Sequence, residues 1–124
     1  MAKRRMFSLD VVDSDRFLDM PISSQLLYFH LAMRADDDGF VSSPKRIMRS
    51  INTNDDDLRM LFVKEYIITF ESGILVITHW NQNNSIKKDR YIETIFLDEK
   101  SLLELKNKAY QIKDYTNMGR LEPK

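Results

Sequence analysis

Apolar residues recur at helical spacing over residues 22–35. Ile22, Leu26, Phe29 and Met33 fall 4, 3 and 4 residues apart, and Leu27, Leu31 and Ala35 form a second stripe beside them. So wide an apolar face predicts a central helix covered on most sides, begun by Pro21 and capped by Ser23 or Ser24. Asp36-Asp37-Asp38-Gly39 ends it, because these residue types favour turns. Phe40-Val41-Ser42 fits a short strand. Ser43-Pro44 then starts a helix over residues 44–51 that buries Ile47, Met48 and Ile51 and turns Lys45, Arg46 and Arg49 outward. Thr53 or Asn54 caps a third helix, with Asp55, Asp56 and Asp57 in its first turn, where carboxylates suit the helix dipole. Leu58, Leu61, Phe62 and Tyr66 are its expected core stripe. At Ile67 the period changes: residues 67–70, a Glu71-Ser72-Gly73 turn and residues 74–80 read as a β-hairpin.

The order helix, short strand, helix, helix, hairpin predicts an α+β fold of the winged helix-turn-helix type, although other small α+β arrangements share the pattern. Upstream, residues 14–19 suit a short helical turn and residues 6–12 an edge strand or arm. Downstream, a polar stretch from Asn81 to Ser85 precedes Lys87-Lys88-Asp89-Arg90-Tyr91. Residues 98–113, with Leu102, Leu103, Leu105, Ala109 and Ile112 apolar, read as a final amphipathic helix. The expected division is a winged-helix domain with a basic arm over residues 1–97, then a C-terminal helix over residues 98–124. That helix runs into a linker, as though a second domain followed.

Composition narrows the chemistry. The chain has 124 residues, no cysteine and three glycines, Gly39, Gly73 and Gly119, each far from the next. Without cysteine there is no disulfide or thiolate metal site, and scattered glycines cannot make a phosphate-cradling loop. Lys3, Arg4 and Arg5 precede acidic residues where a signal peptide would need an apolar run, and no stretch approaches the ~18 apolar residues of a membrane span. A cytoplasmic protein without membrane contact is therefore expected. His30 and His79 have no metal-ligand spacing, and Asp36 to Gly39 lacks the register of a calcium loop. No nucleophile elbow is present. We therefore expect no enzyme, cofactor or metal.

The 19 basic and 19 acidic side chains cancel in sum but come in blocks. Lys3, Arg4 and Arg5 form a basic arm, Lys45, Arg46 and Arg49 one face of the second helix, and Lys87, Lys88 and Arg90 a cluster past the hairpin. With Arg59 at the margin of the third helix, these are the candidate DNA-binding residues. They suit phosphates, which position a protein without specifying sequence. The third helix itself turns Asp56, Asp57, Met60, Val63 and Lys64 outward, a poor surface for reading base edges, and the hairpin tip is acidic. Met60 and Val63 are the candidate protein-contact face, which suggests a homo-oligomer and, as the alternative to DNA binding, a protein-interaction domain that pairs with itself or with a partner protein. A winged-helix transcription regulator is an alternative, but it would need stronger sequence discrimination than this helix offers.

Four segments carry a family resemblance. They are Leu27-Tyr28-Phe29-His30-Leu31, Ala35 through Val41, Phe70 through Trp80, and Asn83-Asn84 on through Lys88-Asp89-Arg90-Tyr91 to Thr94. Together they resemble the N-terminal domain of phage replisome organisers, replication-initiation proteins of phages and prophages of Gram-positive bacteria related in architecture to DnaD-type primosome proteins. The likeness covers residues 3–99 in order, and its Trp-to-Asp-Arg-Tyr block is the most specific part. It implies a winged-helix module that binds origin DNA or self-associates, with helicase-loading partners engaged by a second domain. No DNA-contacting residue is carried over from it.

Overall fold

A computed structural model describes residues 4–113, and Lys3 of the basic arm and the linker expected at residues 120–124 lie outside them. Between residues 22 and 77 the order is α3 (Ile22–Met33), β1 (Phe40–Val41), α4 (Pro44–Ser50), α5 (Asp55–Val63), β2 (Ile67–Thr69) and β3 (Leu75–Ile77), preceded by α1 (Leu9–Val12) and α2 (Asp15–Leu18). β3 is the central strand of an antiparallel sheet, with Phe40 and Ile68 opposite Val76 from its two sides. The chain is a mixed α+β structure, and this order and pairing are compatible with the winged helix expected from the sequence.

The two short leading helices form because serines cap them. Ser8 accepts the Asp10 N–H and Ser14 the Phe17 N–H, satisfying donors that a single turn leaves free. Of the edge strand or arm expected over residues 6–12, the arm is what forms, without strand pairing over residues 4–8, and α1 takes the rest. At α5 the cap is a capping box: Asn54 accepts from Asp57 N–H while the Asp57 carboxylate accepts the Asn54 N–H at 2.9 Å.

That box explains one correction. Asp57, expected to face solvent, is buried at the junction of α3 and α5, where its carboxylate accepts the Ser23 hydroxyl and its carbonyl accepts Ser24 Oγ at 3.2 Å. The two serines expected to cap α3 instead tie it to α5, and Pro21 stands at the cap position.

A second correction concerns which stripe is core. Leu27, Leu31 and Ala35 are buried together with Tyr28 and Ala32, whereas Ile22 is 84% exposed and Leu26 and Met33 are also open. Phe62, expected in the core of α5, is 50% exposed. The centre is aromatic. Phe17, Tyr28 and Tyr66 meet edge to face with centroids 5.3, 5.5 and 5.8 Å apart, each pair contributing roughly 0.5–1.5 kcal/mol beyond area burial.

The C-terminal region departs most from expectation. The single helix over residues 98–113 is replaced by α7 (Leu97–Ser101) and a hairpin, β4 (Leu103–Lys106) with β5 (Ala109–Ile112). Asn107 and Lys108 turn between them with φ of 55° and 66°, the left-handed pair that a tight hairpin requires. The strand expected to run to Trp80 likewise stops at Ile77, and Trp80 opens a short helix, α6 (Trp80–Asn83).

Candidate nucleic-acid interface

Helix α4 is positioned by Ile47 and Met48, which are buried, so that Lys45, Arg46 and Arg49 are exposed on its other side. Ser43 makes no capping bond, and Pro44 at the first turn starts the helix. Arg46 lines a groove of about 400 Å³ with Arg34, Ser42, Ser43 and Ser50. Arg34, at the end of α3, was not singled out by sequence reasoning. It is held there by His30, whose carbonyl accepts Arg34 Nη1 at 3.0 Å and whose Nδ1 lies 2.9 Å from the same atom. An i,i+4 His–Arg pair at a helix end facing a second basic helix was the signal available.

Charge pairing separates the candidates. Lys45 Nζ donates to Asp55 at 2.5 Å, and the Asp55 carboxyl is held below the usual carboxylate range chiefly by that bond. Arg59 pairs with Asp56 at 3.3 Å. Among the described residues, Arg34, Arg46 and Arg49 have no such carboxylate partner.

Arg5 does not belong to a DNA-contacting arm. Its side chain is 2% exposed, pairs with Asp37 at 3.1 Å, donates to the Ala35 carbonyl at 2.6 Å and lies 5.1 Å from the Trp80 ring centroid. A guanidinium so enclosed cannot reach a phosphate. Arg4 is exposed immediately before it. The arm is fastened further by Asn84, which accepts the Met6 N–H at 2.8 Å, and Asn83, which accepts the Ser8 N–H at 2.9 Å.

Lys87, Lys88 and Arg90 are exposed on a turn and do not line the groove of Arg34 and Arg46. Tyr91, next to them, is fixed: its hydroxyl donates to the Asp38 carboxylate at 2.7 Å. The three aspartates are thus a hub. Asp36 accepts the N–H groups of Asp38 and Phe40. Asp37 joins Arg5, the Ile92 N–H and, through its carbonyl, the Trp80 indole at 2.8 Å. Asp38 gathers Tyr91, the Thr94 N–H and Lys100, and its carbonyl accepts Tyr110 Oη at 2.8 Å. Partial desolvation opposes the charge on Lys100, but bonds to Glu93 and Tyr91 and the nearby Asp38 raise its pKa on balance. Burial pushes Tyr110 up to about 12.

Other features bear on what the surface can do. The hairpin tip is drawn onto α7 by Ser72, which donates to Glu99 at 2.8 Å. His79 is half-buried beside the Tyr66 ring, and desolvation lowers its pKa, helped by the Arg16 charge. On α5, Met60 packs against the core while Val63 is 62% exposed. Val63 and Phe62 border an apolar groove of about 520 Å³ completed by Ile68 and Ile112. Among the described residues no group of three His, Asp or Glu side chains is placed to hold a metal ion, and no helix is long and apolar enough to cross a membrane.

No protein-family model matches the chain, and no curated protein or solved structure is detectably similar to it.

Proposed function

We propose that this chain is a non-enzymatic winged-helix module that binds DNA through its phosphates, acting in replication initiation as the replisome-organiser resemblance implies. The observation that carries the reading is the meeting of Arg46 with Arg34 in one serine-lined groove, beside the exposed Arg49. Guanidinium groups without carboxylate partners among the described residues, next to hydroxyl donors, suit phosphate oxygens. Arg4, Lys87, Lys88 and Arg90 are supplementary contacts. The acidic first turn of α5 and the acidic hairpin tip disfavour groove insertion, so sequence discrimination is low. Fluorescence anisotropy with a labelled duplex at low salt tests this. Binding should weaken with salt, and Arg46→Ala with Arg49→Ala should lower the log–log salt slope by about 2. Absence of binding, or indifference to both substitutions, defeats the reading.

A second reading, self-association, is favoured by the apolar groove at Phe62, Val63, Ile68 and Ile112. It is compatible with the first, because α5 is then released from contact with DNA.

A further inference from the structure

Arg34 and Ser42 border two different surfaces. On one side lies the polar groove with Arg46, Ser43 and Ser50; on the other lies a shelf of about 320 Å³ floored by Phe40 and Phe96 and edged by Ile92 and Ile95. Ile95 is 84% exposed, and nothing in the core accounts for it. The shelf carries three carboxylates, each already engaged. Asp36 accepts two backbone N–H groups, Asp37 holds Arg5 and the Ile92 N–H, and Glu93 bonds Lys100 at 2.9 Å.

From this juxtaposition we infer that the site takes a nucleotide unit of single-stranded nucleic acid, its phosphate between Arg34 and Arg46 and its base on the Ile92–Ile95–Phe96 shelf. The inference rests on the phosphate-binding reading above and specifies which form of nucleic acid fits. An anion cannot lie among the shelf's carboxylates, but a neutral, flat, largely apolar group can, with an N–H edge toward the remaining carboxylate lone pairs. A ligand must therefore join an anionic group to a planar apolar one across the width of one arginine side chain. In a duplex the bases are stacked away and only the phosphate half of the site is usable. In a single strand each base is free to leave the stack and cover an apolar side chain. His30 preorganises the junction by holding Arg34 Nη1, which leaves the rest of the guanidinium to the ligand.

Anisotropy titrations of the full chain with labelled oligothymidylate and with a duplex of equal length separate the two halves. Ile95→Ser, at a position outside the core, should weaken oligothymidylate binding by about fivefold or more and leave duplex binding unchanged. Arg34→Gln should weaken both, and circular dichroism checks that each variant is folded. Unchanged oligothymidylate binding in Ile95→Ser overturns the inference. If duplex binding still falls on Arg46→Ala, the phosphate reading survives alone. Binding of neither form defeats both. Chemical-shift changes at Ile95 and Phe96 on adding an acidic, aromatic peptide but not oligothymidylate would assign the shelf to a protein partner and overturn the inference as well.

Discussion

The indole of Trp80 lies directly over Gly39, so closely that a Cβ at residue 39 would come within 2.7 Å of the indole Cγ. The same glycine has a φ of 92°, and the indole N–H is bonded to the Asp37 carbonyl two residues earlier. Gly39→Ala therefore incurs two costs, roughly 1–2 kcal/mol for the left-handed backbone and roughly 1–3 kcal/mol for overpacking. Urea denaturation should show a loss of about 3 kcal/mol. Gly73 is the internal control: its φ is 91° but nothing lies within 4 Å of a Cβ there, so Gly73→Ala should show the backbone cost alone.

Arg5 gives the opposite prediction to the one its place in a basic arm suggests. Removing one partner of a buried pair leaves the other charged and enclosed, at a cost of about 3–5 kcal/mol. Arg5→Ala should lower urea stability by that order, release the arm to proteolysis near Met6 and, under conditions where the variant is folded, leave DNA affinity unchanged. A weakened salt slope with unaltered stability would restore Arg5 to the phosphate contacts.

The helices and strands between residues 22 and 77 were legible because apolar period and caps agree there. Orientation about each helix axis was less so. Two apolar stripes lie side by side on α3, and periodicity cannot say which faces the core; the aromatic trio around Tyr28 decides it. Helical rotation alone turns Asp57 toward solvent, although the capping box that buries it is written in Asn54 and Asp57. Leu103-x-Leu105 and Tyr110-x-Ile112 flank Asn107-Lys108 with alternation as well as helical spacing, and the hairpin wins because Asn107 tolerates positive φ and Tyr110 finds Asp38. In the candidate site the α4 cluster was legible as a helix face. Arg34 was not, as a lone cation outside the basic blocks, and neither was the shelf, which joins Asp36 and Asp37 to residues 92–96, over 50 positions away, as the bond from Thr94 to Asp38 illustrates.

Stability should fall on mild acidification because of His79. Its folded pKa lies below the ordinary 6.5, so the unfolded chain takes up the proton first. The contribution is complete above about pH 6.5 and is lost as pH falls through the lower, folded value, with a slope of at most about 1.4 kcal/mol per pH unit for one proton. Denaturation midpoints measured from pH 7.5 downward should decline in wild type and be flatter in His79→Gln. Equal slopes would assign the decline to other groups.

Among the α4 cations, Lys45 is the one already spoken for. Asp55→Asn should free it and remove a repelling charge beside the phosphates, tightening duplex binding and raising the salt slope by about 1. Because the Asp55 carboxyl is held below the usual range, mild acid should not reproduce the effect. Unchanged or weaker binding by Asp55→Asn in anisotropy titrations would place Lys45 outside the interface.

The self-association face is best probed at Val63 rather than Met60, because Met60 packs against the core and an acidic residue there would unfold as well as dissociate. Val63 is open beside Phe62, Ile68 and Ile112, so Val63→Asp puts a charge into the apolar groove at little cost to the monomer, within about 0.5 kcal/mol. If two copies meet there, the charge must be desolvated on association, which costs several kcal/mol and shifts the equilibrium by two or more orders of magnitude. Light scattering over a concentration series should then find an oligomer for wild type and a monomer for Val63→Asp, with equal urea midpoints at low concentration. A wild-type monomer at every concentration, or a molar mass indifferent to the substitution, removes this face from any assembly and leaves the groove to a different ligand.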